Sequence, residues 1–131
     1  MRFDFLELPG DYGHGIVRPV VPVQVGDLEQ APQLCLIDTG SLRNRFAYWL
    51  ADACGVDLTG APTAELALGG FVTTGYEARV DLTVDGDRFD APVSFCDPWP
   101  LAFNLLGQEG FLRGFRLTMS ANEGWLELER E

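Results

Sequence analysis

The stretch from Tyr76 to Phe95 constrains the fold most. Tyr76, Ala78, Val80, Leu82 and Val84 alternate with Glu77, Arg79, Asp81 and Thr83, and after Asp85-Gly86 the residues Phe89, Ala91, Val93 and Phe95 continue the pattern. A two-residue apolar period marks a half-buried strand. An Asp-Gly pair between two such runs is a strong short-turn signal. The chain is therefore built on a long antiparallel hairpin with one face that must be covered. Turn signals recur about every ten residues elsewhere, in keeping with 15 glycines and 8 prolines in a chain of 131 residues. This spacing predicts eight or nine short strands and one or two helices, arranged as a mainly antiparallel barrel or sandwich. No repeat or linker divides the chain, so residues 1–131 are expected to form one domain.

Around the hairpin the remaining pieces fall in order. Phe3 to Leu8 is apolar-rich, stops at Pro9-Gly10 and reads as a strand, and a glycine-rich loop follows from Asp11 to Gly15. Ile16 to Val25 carries Pro19 and Pro22, which predicts an edge or broken strand. Phe46, Leu50 and Cys54 stand four apart, which predicts a helix from about Asn44 to Cys54, capped by Asn44 or Ser41 and stopped at Gly55. Thr63 to Leu68 reads as a strand, Gly69-Gly70 as a turn, and Phe71 onward as the return strand. Asp97-Pro98-Trp99-Pro100 breaks the alternation; Asp97 is expected to be a turn acid and Trp99 to pack. Gln108 to Gly114 suits a short helix, Phe115 to Met119 a strand, and Leu126 and Leu128 a last strand.

One stretch carries chemistry. Leu34-Cys35-Leu36-Ile37 runs straight into Asp38-Thr39-Gly40-Ser41. Four apolar residues read as a buried strand, so the carboxylate of Asp38 is delivered from the core on a rigid support. Gly40 permits a sharp turn. Taken alone, the same residues also suit an ordinary turn.

Composition narrows the functions. The formal net charge is −11, with 20 acidic residues against nine basic ones, all of them arginine. Such a chain repels phosphate backbones and anionic lipid, so neither nucleic acid nor membrane is an expected partner. Cys35, Cys54 and Cys96 are an odd, widely spaced set in apolar surroundings, which suits small core residues better than disulfides or a zinc site. No metal or cofactor is expected. His14, the lone histidine, would have to serve any histidine-based catalytic site, and its place between two glycines suits a surface loop better. The first ten residues lack signal-peptide character, and no run reaches the apolar length of a membrane span. A reducing, cytoplasmic setting is the expectation.

Set in order, these pieces resemble the single-domain, retropepsin-like aspartic proteases, especially the bacterial type. Asp38-Thr39-Gly40-Ser41 resembles the catalytic turn of that family. Gly69-Gly70, about thirty residues later, lies where the family carries a mobile flap. Leu105-Leu106-Gly107 resembles the hydrophobic-hydrophobic-glycine element that packs behind the turn, and the run through Leu117 resembles the short helix and strand of bacterial members. The resemblance spans roughly residues 20–129, leaving residues 1–15 as an extension or strand without a counterpart.

The resemblance implies a closed antiparallel β-barrel with one or two short helices. It also implies an aspartic endopeptidase in which two carboxylates share a proton and activate water. Only one such turn is present, so the second carboxylate would be Asp38 of another copy, in a twofold homodimer acting on a peptide or protein. Thr39 would join the two turns, Gly40 would leave room for substrate, and Ser41 would hydrogen-bond Asp38. Gly69, Gly70 and Phe71 would form the flap over an extended peptide. Leu105, Leu106 and Gly107 would support the turn. Two other readings are a non-catalytic dimer of this fold that binds a peptide or partner, and an unrelated small β-barrel that binds a small molecule.

Overall fold

The computed structural model describes residues 1–8, 15–28 and 32–131. The Pro9-Gly10 stop, His14 and most of the first glycine-rich loop lie outside the described residues. Ten strands are described: β1 (Arg2–Asp4), β2 (Val20–Val25), β3 (Gln33–Ile37), β4 (Arg45–Ala47), β5 (Thr63–Leu68), β6 (Phe71–Val84), β7 (Asp87–Asp97), β8 (Asn104–Leu106), β9 (Phe115–Ser120) and β10 (Trp125–Arg130). One helix, α1 (Tyr48–Ala53), and a 3₁₀ turn at Leu112–Gly114 accompany them.

The hairpin that dominates the sequence is β6–β7. Its register runs from Thr74 opposite Asp97 to Val84 opposite Asp87. Val80, Leu82 and Val84 are buried while Arg79 is exposed, as the alternation requires. Asp85 and Gly86 both have positive φ, 48° and 82°. That is the backbone twist a two-residue hairpin loop needs.

The strands join in the order β2-β3-β8-β4-β7-β6, and β2 also pairs with β6, closing a six-stranded barrel. The barrel is mixed, whereas the sequence predicts an antiparallel one. β3 pairs with β8 and β4 with β7 in parallel. Parallel neighbours cannot be joined by a tight turn, and these pairs come from distant segments whose relative direction local patterning does not encode. β5 lies outside the closed ring and, among the described residues, pairs with β6 alone. A second sheet, β1-β10-β9, packs Leu126 and Leu128 into the core.

β2 is neither broken nor an edge. Pro19 accepts a hydrogen bond from Ile37 at 2.9 Å. This makes residues 19, 21 and 23 the ones that hydrogen-bond β3 and turns the backbone nitrogen of Pro22 away from it. β6 meets β2 only at Gln24 and Val25. Pro22 therefore costs no ladder bond.

The helix is shorter than the four-residue spacing predicts. Residues Arg45–Ala47 form β4, wedged between β7 and β8, and α1 begins at Tyr48 with no side-chain cap. Phe46 enters the core from a strand and meets Phe95 edge-on, with ring centroids 6.4 Å apart. Complete burial of such a side chain stabilises by roughly 1.5–3 kcal/mol, enough to outweigh helix propensity over three residues. Gly55 does stop the helix, at φ 72°. Toward the amino terminus the strand is Arg2–Asp4, and beyond it a single bridge joins Leu6 to Arg18. Where a short helix is expected over residues 108–114, the chain makes a bridge from Glu109 to Arg43 and the 3₁₀ turn.

Candidate active site

Asp38 follows the last residue of β3. Its backbone N–H donates to the carbonyl of Leu106 at 2.9 Å, so the β3–β8 ladder reaches Asp38 itself. Cys35 and Ile37 point into the core. By the two-residue period of a strand, Leu36 and Asp38 therefore share the opposite face. The Asp38 carboxylate accepts a hydrogen bond from the Gly40 N–H at 3.1 Å, and the Asp38 carbonyl accepts from the Ser41 N–H at 3.1 Å. The side chain is half-buried, whereas Thr39 and Gly40 are exposed. Ser41 is buried and donates its hydroxyl proton to the Arg43 carbonyl at 2.7 Å, not to Asp38.

The turn is held from behind by the segment after β8. Gln108 donates through its side chain to the Thr39 carbonyl at 2.8 Å and through its backbone to the Ser41 carbonyl at 2.9 Å. Glu109 donates to the Leu42 carbonyl at 2.7 Å. Gly107 lies so close that a Cβ there would stand 2.3 Å from the Arg43 carbonyl oxygen and 2.7 Å from that of Ser41. The sequence does not mark Asn44 as part of this support. It is fully buried, accepts the Gly107 N–H at 3.0 Å and donates to the Pro92 carbonyl at 3.1 Å. Read as a helix cap, it is instead a polar bridge between the turn, β7 and β8. Set between Arg43 and Arg45 in the sequence, it carried no local signal of burial. Leu105 and Leu106 are buried.

The hairpin β5–β6 carries the Gly69-Gly70 turn. Gly69 and Gly70 form its tip with φ of 48° and 96°, and Phe71 is half-buried. The Phe71 ring meets Trp99 edge-on at 6.1 Å, and the Thr73 hydroxyl donates to the Pro98 carbonyl at 2.5 Å. Trp99 in turn donates its ring N–H to the Phe103 carbonyl at 3.0 Å. The loop after β7 thus touches both the hairpin and the approach to β8.

With this geometry in place, the comparison with solved structures decides the fold. The retroviral protease-like domain of Ddi1 from Leishmania major superposes with a TM-score of 0.62 at 12% identity, covering 87% of this chain and 90% of that one. The fold is retropepsin-like. A retropepsin-like aspartic protease from Rickettsia conorii superposes with a TM-score of 0.57 at 18% identity, covering 82% and 86% of the two chains. Neither a family model nor a curated protein matches the sequence.

Two concavities sit near the Asp38 turn and the β5–β6 hairpin. A groove of about 510 Å³ runs between β4 and β5, lined by Arg43, Arg45, Thr63, Glu65, Leu66 and Glu77 among others. A smaller one of about 260 Å³ lies between Arg43, Glu77, Pro92 and Glu109. A larger, open concavity of about 710 Å³ follows α1 from Tyr48 to Thr59 and takes no residue from the turn or the hairpin. Among the described residues no group of three or more His, Cys, Asp or Glu is placed to hold a metal ion, and no helix is long and apolar enough to cross a membrane.

Proposed function

We propose that the protein is a homodimeric aspartic endopeptidase. One observation carries the reading: a carboxylate is brought to the end of a barrel strand, on the face away from the core, in a turn clamped by the Leu106, Gln108 and Gly107 contacts. That rigidity suits a group that must meet a second carboxylate across a twofold axis. The shared fold and the glycine-tipped hairpin support the same reading.

In the proposed dimer the two Asp38 side chains hold one proton between them, because two close negative charges are costly. The ionised carboxylate takes a proton from a bound water as the water attacks the scissile carbonyl carbon, and the protonated carboxylate donates to the carbonyl oxygen, giving a diol. The proton taken from water then passes to the leaving nitrogen as the C–N bond breaks, and a hydroxyl of the diol returns its proton to the other carboxylate. Thr39, exposed in the single chain, would face its counterpart at the junction of the two turns. Gly69, Gly70 and Phe71 would close over an extended peptide bound by backbone pairing. The three unpaired cysteines favour a reducing, cytoplasmic setting.

Asp38→Asn tests the mechanism. The variant should keep its sedimentation behaviour and circular dichroism while peptide cleavage falls to background. Cleavage at the wild-type rate would overturn the proposal.

A further inference from the structure

The acidic chain spends its arginines on carboxylates. Arg2, Arg43, Arg79, Arg88, Arg113, Arg116 and Arg130 each form an ion pair. Among the described residues Arg45 has no such pair, and its Nε is buried without a hydrogen-bond partner. A buried, unsatisfied charged donor is costly and is conspicuous in a chain with 20 acidic residues. Arg45 lines the groove between β4 and β5. The neighbouring carboxylate is already engaged: Glu77 accepts the Ser94 hydroxyl at 2.5 Å on one oxygen and pairs with Arg43 at 3.1 Å through the other. Glu65, the other acid of the groove, is exposed.

Register ties this arginine to the face that bears Asp38. Leu36 pairs with Leu105, Leu105 with Arg45, Arg45 with Ser94, and Ser94 with Glu77. Directly paired residues lie on one face of a sheet. Leu36, and Asp38 two residues on, therefore share their face with Arg45. Arg45 lies two strands across from Leu36 and one pleat back from Asp38, a separation of roughly 10–12 Å at normal strand spacing. An extended peptide covers that distance in about three residues.

We infer that Arg45 is a specificity residue that receives a carboxylate of the bound peptide, about three positions from the scissile bond. The carboxylate belongs either to an acidic side chain or to a free chain end. The inference rests on the peptidase reading for the placement of the scissile bond, but the carboxylate contact can be measured without turnover.

The test uses the Asp38→Asn protein and a set of end-blocked peptides that differ only by Glu or Gln at successive positions. An otherwise neutral peptide with a free carboxyl end separates the two sources. Binding is read by fluorescence anisotropy, and the Arg45 Nε–H resonance by ¹⁵N-resolved NMR. One Glu peptide, or the free-ended one, should bind about tenfold more tightly than its neutral counterpart and shift that resonance. Arg45→Met in the same background should remove the difference. Arg45→Lys, which keeps the charge without the planar fork, should restore only part of it.

Equal binding of charged and neutral peptides would overturn the inference, as would absence of peptide binding. So would an Arg45→Met variant that keeps the preference, or one that alters only dimer affinity. Wild-type protein that cleaves without an Arg45-dependent preference sinks this inference alone. An Arg45-dependent preference in a protein that cleaves nothing sinks the peptidase reading alone.

Discussion

At the residue scale, Asn44 and Gly107 show how little tolerance surrounds Asp38. The Asn44 amide satisfies two backbone groups, the buried Gly107 N–H and the part-buried Pro92 carbonyl. Asn44→Ala leaves the Gly107 N–H and the Pro92 carbonyl without those bonds, so it should lower the unfolding free energy by about 2–4 kcal/mol. Urea denaturation checks this; a loss within the range of an ordinary surface substitution, about 0.5 kcal/mol, would show that the bridge holds nothing. Gly107 has a different requirement. Its φ is unremarkable, and what excludes a side chain is the proximity of the Arg43 and Ser41 carbonyls.

At the element scale, the hairpin β5–β6 is fastened by rings and not by a ladder on its outer side. Among the described residues β5 has β6 as its single strand neighbour, and the Phe71–Trp99 contact joins the tip to the loop after β7. Phe71→Ala should speed amide exchange across residues 66–73 while leaving β7 and β3 unchanged. Hydrogen exchange with mass spectrometry separates the two regions; an unchanged rate at the tip would show that the ring contact does not restrain it. This element was legible in the sequence, because glycine pairs and alternation are local signals. β4 was not. Its three residues carry a spacing that fits a helix equally well, and their strand geometry comes from Ser94, Phe95 and Cys96 alongside. The same tertiary override hid Arg45, which on a helix would point to solvent and in β4 lines a groove. The turn and its glycine support were legible because each is compact in sequence. The direction in which β3 and β8 run past each other was not, since no local pattern specifies it.

For the whole molecule, the buried thiols set an alkaline limit. Burial pushes the Cys96 thiol up from 9.0 to about 11, with Arg45 pulling it down by less and Glu77 adding to the rise. Burial raises Cys35 further still, and Cys54 is raised by burial and by Asp27. The folded chain thus keeps protons that the unfolded chain gives up above about pH 9. The stability this contributes is complete below that value and declines as pH rises toward 11. Urea midpoints at pH 7 and pH 10 should differ less in Cys96→Ala than in the parent; an equal drop in both would remove Cys96 from the account. The closed barrel has one more consequence, which concerns time. The β3–β8 ladder joins segments about seventy residues apart, and contacts this distant form late because a long loop must close first. During synthesis residue 38 leaves the ribosome well before residue 107. The acid emerges early, but the clamp that fixes its direction is made only when the C-terminal part of the chain arrives, so a nascent chain carries the carboxylate without the site.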